Sequence, residues 1–168
     1  MESGPLYQTV LIIDTSITSS FLVDILRCQL VRRDVFQKEQ GIAGELDFDG
    51  KDFAGGTFHI LIYNQTEGKK TPVATVRGRK IDYPKGVKLE RMCVLPAHRR
   101  QKLGQKLLDV FEFHASALGF REIWLHAQLG ASEFYSRRGY RFVGGPFLEA
   151  GLEHYLMTKS LSLIDTAA

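Results

Sequence analysis

Several things are missing from this sequence, and each absence excludes something. No apolar run approaches the ~18 residues that would cross a bilayer, and MESGPLYQ at the start has neither the basic segment nor the apolar stretch of a secretory leader. Only two cysteines are present, Cys28 and Cys93, one on an expected helix and one on an expected strand. With no framework spacing between them, both are expected to be reduced and buried, and the Asn64-Gln65-Thr66 sequon carries little meaning. None of the five histidines stands in a His-Glu-x-x-His pattern, so no zinc or other metal site is expected. Charge of one sign is scarce too. A net charge of +3 agrees with small anionic ligands but does not argue for nucleic acid, and no set of stacking aromatics is available to support one. The expectation is a soluble, cytoplasmic protein that binds neither nucleic acid nor membrane.

What is present is an ordinary globular composition, 44% hydrophobic and 24% charged over 168 residues, enough for one domain spanning 1–168 with a sizeable core. The most informative stretch runs from Val94 to Leu118. It begins extended and meets Pro96, which cannot continue a strand ladder. It continues as an amphipathic helix, with Leu103, Leu107, Phe111, Ala115 and Leu118 on one buried face. Between the two lies His98-Arg99-Arg100-Gln101-Lys102-Leu103-Gly104-Gln105. The first N–H groups of a helix lack internal partners and point along the positive end of its dipole. Flanked by Arg99, Arg100 and Lys102, they would form a pyrophosphate seat. On local pattern alone, a solvated basic turn is equally open.

The rest of the chain falls into short elements. Residues 9–13 read as a strand, and 18–36 as a helix marked by Phe21, Leu22, Ile25, Leu26 and Leu30. The polar segment from Glu39 to Asp52 reads as a solvated loop. Residues 57–63 and the run from Pro72 form a hairpin around the turn NQTEGKK. Residues 87–95 alternate, with Lys88, Glu90, Met92 and Val94 on one face and Leu89, Arg91, Cys93 and Leu95 on the other. After the central helix come a strand at REIWLHAQ, a short helix ended by Gly139, and a final pair of strands. This order implies an α/β fold: a mixed, mostly antiparallel sheet of about six to seven strands flanked by helices.

The loop at 99–104 resembles the Arg/Gln-x-x-Gly-x-Gly/Ala acetyl-CoA loop of the GCN5-related N-acetyltransferases, with Lys102 in place of the first glycine. The resemblance extends over residues 32–157 to the branch containing the bacterial ElaA and YjcF proteins. It is carried by Arg32-x-x-Val35-Phe36-x-x-Glu39-Gln40-Gly41, by Lys88-x-Glu90-Arg91-x-x-Val94, and by His126-Ala127-Gln128 followed by Phe134-Tyr135 and Gly139-Tyr140. A C-terminal signature completes it, Phe147-x-Glu149-x-Gly151-x-x-His154-x-x-Met157. The resemblance implies this superfamily's fold and an acetyl-CoA-dependent N-acetyltransferase. Met92, Cys93 and Val94 would pair their backbone with the pantetheine arm. Arg99 and the residues from Arg100 through Gln101, Lys102, Leu103 and Gly104 to Gln105 would hold the pyrophosphate. It also leaves a homodimer through the C-terminal strands open.

Acetyl transfer to an amine needs a deprotonated nitrogen, a polarised carbonyl and a proton for the departing thiolate. The departing thiolate, whose thiol has a pKa near ~8.5, would take that proton from a tyrosine near ~10, and Tyr135 matches the superfamily position for this acid. Its alternative role is aromatic packing with an exposed hydroxyl. Three bases are open: His126, Glu90 acting through water, and His154 with Glu149. Unaided loss of the proton to water is open too. Backbone N–H groups from Met92 to Val94 could polarise the carbonyl. The acidic segment from Glu39 to Asp49 could attract a cationic acceptor, with Arg32 and Arg77 as ion partners or acceptor contacts. A small primary amine is the expected acceptor. An acyl-homoserine lactone synthase-like acyltransferase and a CoA-binding sensor without turnover remain as rivals.

Overall fold

The computed structural model describes residues 6–13, 18–66 and 68–162. Residues 1–5, which bear on the expectation about a leader, and Glu67, inside the expected NQTEGKK turn, lie outside the described residues. The strands are β1 (Leu6–Ile13), β2 (Thr57–Thr66), β3 (Lys69–Ile81), β4 (Gly86–Val94), β5 (Glu122–Gln128), β6 (Arg141–Phe142), β7 (Phe147–Glu149) and β8 (Leu152–Ser160). The helices are α1 (Ser19–Arg32), α2 (Gly44–Asp47), α3 (Leu103–Ala117) and α4 (Ser132–Ser136). The ladder runs β1-β2-β3-β4-β5-β8-β6, with β7 also on β8. The β4–β5 pair is parallel; β1–β2, β5–β8, β6–β8 and β7–β8 are antiparallel. This is the mixed sheet flanked by helices that the sequence implies. Among the described residues it has eight strands, because the run after Gly139 divides into β6 and β7, both of which pair with β8.

The chain forms two compact units, Met1–Gly78 with Arg91–Phe111, and Arg79–Glu90 with Glu112–Ala168. In the first, Thr18 caps α1 by accepting the Phe21 N–H at 3.2 Å. Phe21, Ile25 and Cys28 of α1 pack with Ile12, Leu61 and Tyr63. The buried row is thus Phe21, Ile25, Cys28 and Val31, while Leu22, Leu26 and Leu30 are exposed. Both rows satisfy helical spacing, and the second was expected on the same face. α1 continues beyond Phe36 as a wider π-helical turn, Arg33–Glu39, marked by the Gln40 N–H reaching the Val35 carbonyl at 3.1 Å. Gly78 must be glycine, since a Cβ there would overlap the Phe58 ring, which itself packs on Phe111 at 5.2 Å.

In the second unit, β4 starts at Gly86, where a Cβ would lie 2.5 Å from the Glu122 carbonyl of β5. Along β5, Ile123, Leu125 and Ala127 are buried, which leaves Trp124, His126 and Gln128 on the opposite face. The β7–β8 hairpin closes through Ala150 and Gly151, both at positive φ (51° and 75°), the geometry that matches strand twist in a two-residue loop. Tyr135 and Tyr140 meet edge to face at 5.6 Å, and Lys159 pairs with Glu112 at 2.7 Å. Of the residues expected on the buried face of α3, Leu103, Leu107, Phe111 and Ala115 are buried. Leu118 is exposed, because α3 ends at Ala117 ahead of Gly119 (φ 82°). No helix among the described residues is long and apolar enough to cross a membrane.

Candidate active site

The loop expected to hold the pyrophosphate, residues 99–105, belongs to the first unit. Along β4, Val87, Leu89 and Cys93 are buried in alternation, and Arg91 between them has φ 56°, a left-handed residue of the kind that bulges a strand. Cys93 then packs against Val31 and Val35, and burial pushes its thiol far above the ordinary range. After β4 comes a single turn, Pro96–His98. Arg100 and Lys102 follow at φ 61° and 60°, which costs a non-glycine residue about 1–2 kcal/mol each. Lys102 therefore holds the backbone shape that a glycine would adopt at that position, and its side chain is exposed. The first bond of α3 runs from the Lys106 N–H to the Lys102 carbonyl at 3.0 Å. The N–H groups of Leu103, Gly104 and Gln105 precede it and lack intrahelical partners. A run of backbone N–H groups in a turn of alternating hand makes an anion-binding concavity, so these residues fit a pyrophosphate.

Arg99 is placed differently from its basic neighbours. It makes a bidentate pair with Glu39 at 2.8 and 2.6 Å, and its Nε donates to the Val94 carbonyl at 3.1 Å. That bond from Arg99 lowers the Glu39 carboxyl below its ordinary value. Tyr7 reaches the same loop through His98 and Gln101.

The acidic segment is not a solvated loop. Asp47 and Asp52 are buried, and Arg32 bridges them, with Nε 2.9 Å from Asp47 and Nη1 2.6 Å from Asp52. Arg77 takes Asp49 and Asp52 at 2.8 and 2.9 Å, and Arg91 takes Asp47 and Asp49, both at 3.3 Å. Burial works to raise the Asp49 carboxyl, but the hydrogen bonds from Arg77 and the Lys51 N–H, with the charges of Arg77 and Arg91, hold it well below the carboxylate range. Of the two roles open to Arg32, that of ion partner is the one this geometry supports, since its side chain is 1% exposed. With Asp47, Asp49 and Asp52 neutralised by arginines, the segment is not the free negative patch expected to draw in a cationic acceptor.

The second unit carries a cleft of about 410 Å³, with Arg79, Lys80, Lys88, Trp124, His126 and Leu156 in its wall. That is within the range of small-molecule sites. Glu90 stands behind the two cations: it accepts from Arg79 at 3.3 and 3.0 Å and lies 3.6 Å from Lys88. A carboxylate held this way, at 8% exposure, is poorly suited to the base role expected of it. His126 Nδ1 meets Glu149 Oε2 at 2.9 Å, and Phe147 packs edge-on against the imidazole at 4.8 Å. The bond from His126, against the opposing effect of burial, draws the Glu149 carboxyl below its usual value. A neutral imidazole that donates from Nδ1 to a carboxylate leaves the Nε2 lone pair available to accept a proton. Glu149 was expected to act with His154, but His154 Nδ1 instead bonds the Leu152 carbonyl at 2.9 Å, and Glu149 is the partner of His126. Tyr135 is buried, 7% exposed, and packs against Phe134 and Tyr140. Arg79 and Trp124 were not singled out from the sequence. The strand alternation that places Lys88 with Glu90, and His126 two residues from Trp124, is the signal that could have found them.

The comparisons agree with this architecture. The family model of the acetyltransferase (GNAT) domain matches residues 53–161. N-acetyltransferase YjcF of Bacillus subtilis is 37% identical over 131 residues, 77% of this chain and 87% of that protein. The crystal structure of Escherichia coli ElaA superimposes with a TM-score of 0.76 at 26% identity, over 92% of this chain and 99% of that one. An aminoglycoside 6'-N-acetyltransferase complexed with coenzyme A shares the fold at a TM-score of 0.65 and 13% identity, over 90% of this chain and 96% of that one. With the left-handed loop opening α3 and the motifs from Arg32 to Met157 in the same order, the chain belongs to the GCN5-related N-acetyltransferase superfamily, in its ElaA/YjcF-like branch.

Proposed function

We propose that this chain, acting as one domain over residues 1–168, moves an acetyl group from acetyl-CoA to a primary amine of a small molecule, by direct attack in a ternary complex. The observation that carries this reading is the His126–Glu149 pair, whose imidazole lies in the wall of the cleft. Acetyl-CoA supplies the activated thioester. The N–H groups of Leu103, Gly104 and Gln105, with Arg100 and Lys102, hold the pyrophosphate, and Arg99 braces the loop through Glu39. The backbone of Met92, Cys93 and Val94 runs along the pantetheine and polarises the carbonyl. His126 Nε2 takes the proton of the amine as its nitrogen bonds to the acetyl carbon, with Glu149 stabilising the imidazolium. The carbon–sulfur bond then breaks, and Tyr135 gives its phenolic proton to the sulfur. We place the enzyme in the cytoplasm, without a metal.

The test is a thermal shift with acetyl-CoA and CoA, followed by thiol release in an amine screen. Saturation at ~100 times the dissociation constant adds ~2.7 kcal/mol, which a melting curve resolves. Stabilisation followed by thiol release that His126→Gln abolishes supports the reading. Stabilisation without turnover on any amine would make the chain a CoA sensor, and no stabilisation would remove both readings.

A further inference from the structure

We propose that the acceptor is an amine that also carries a carboxylate, an ω-amino acid or a molecule presenting that pair of groups. This rests on the acetyltransferase reading and names the substrate class of its cleft. The wall of the cleft is unequal in charge: Arg79, Lys80 and Lys88 stand against Asp82. Arg79 gives Nε and Nη2 to Glu90, which leaves the Nη1 edge of its guanidinium outside that pair. Glu90 lies at 8% exposure, while Arg79 and Lys88 are each 22% exposed. The carboxylate therefore orients the two cations from behind, and the solvent side of the group is the positive one. A guanidinium fixed in this way is suited to a ligand carboxylate.

The other polar group in the wall has the opposite character. His126, with Nδ1 committed to Glu149, offers Nε2 as an acceptor. Trp124 and His126 stand two residues apart on one face of β5, so their side chains are rooted about 7 Å from each other. One cleft thus pairs a donor set for an anion with an acceptor for an amine proton. A simple alkylamine would leave Arg79 and Lys88 unused, and a diamine would bring a second cation against them. The acidic segment offers a cationic acceptor no compensation, because Asp47, Asp49 and Asp52 are already bound by Arg32, Arg77 and Arg91.

Trp124 is the only tryptophan in the chain, so its fluorescence reports binding in this cleft without turnover. The full-length protein is titrated with glycine, 4-aminobutyrate and 6-aminohexanoate, each against the alkylamine lacking the carboxylate, and with 1,4-diaminobutane. The expected result is that at least one ω-amino acid saturates the signal at a tenfold or lower concentration than its matched amine. Arg79→Gln should erase that preference, and Lys88→Met should halve it or more; the second variant decides if the first fails to fold by circular dichroism. Equal or tighter binding of the plain amines or the diamine, or no signal from any ω-amino acid, overturns the proposal. Its failure is separable from that of the acetyltransferase reading. Loss of the carboxylate preference with thiol release from simple amines sinks only the substrate class, whereas absence of acetyl-CoA stabilisation sinks the reaction and the acceptor role with it.

Discussion

Arg77 and Arg79 stand two residues apart on β3, and each faces carboxylates. Arg77 is 1% exposed and takes both Asp49 and Asp52. Arg79 is 22% exposed and takes Glu90 along one edge only. The first belongs to a closed network whose charges are matched and whose centre, Arg32, Arg77, Asp47 and Asp52, is 1–2% exposed; the second belongs to an open one with donors in reserve. Residue type is the same in the two cases, and a single glycine separates them. Saturation is what separates an arginine that holds the fold from one that can hold a ligand.

That contrast can be broken at either end. The largest effect is expected in the closed network. Asp52→Asn leaves Arg32 and Arg77 short of a buried counter-charge and should cost about 3–5 kcal/mol, a fall in melting temperature of roughly 6–20 °C for a chain of this size. A drop of only a degree or two would show the network is not closed.

Next comes pH. His59 bonds the Asp52 carbonyl from a buried position, and burial lowers its imidazole from 6.5 to about 4. Because the folded value lies below the unfolded one, this contribution is complete above pH 6.5 and is lost as pH falls from there toward 4. The loss reaches about 3 kcal/mol. Urea titrations across that window should show the decline in the parent protein and a flatter profile in His59→Gln. The carboxyls of Asp49 and Asp52, also depressed, add a separate loss only below the ordinary carboxylate value near ~4.

The open region should instead show its effects in turnover. Tyr135→Phe is expected to lower kcat by about 100-fold while the acetyl-CoA thermal shift stays as it was; unchanged kcat would return Tyr135 to a packing role. The smallest effect is the stability of Arg79→Gln, at or below about 1 kcal/mol. A loss as large as that of Asp52→Asn would make the two arginines equivalent and dissolve the contrast.

The sequence was most legible where its signals are local. The turn after Pro96, the start of α3 and the turn at Gly139 beyond α4 depend on neighbouring residues, and the motif around Arg99–Gly104 could be read directly. Pairings across the chain could not. Arg32 meets Asp52 twenty residues away, and a run of carboxylates looks solvated until its partners are known. Leu22 and Leu26 satisfied helical periodicity as well as Phe21 and Ile25 did, and only the strand packed against α1 chose between the rows. Assigning Glu149 to His126 rather than His154 needed the register of β5 on β8, where Gln128 faces His154 and His126 faces Leu156. A sequence alone does not state that register.

The buried thiols have a practical use. Cys28 is fully buried and its thiol is pushed up to about 12 by burial, and Cys93 is 6% exposed. A thiolate is the species that alkylating reagents attack, so both groups stay silent while the fold is closed. Each labelling event then dates an opening of the first unit. The rate at which a mass spectrometer sees one or two adducts accumulate is a clock for that opening, and a surface cysteine introduced for a fluorophore would be modified long before either native one.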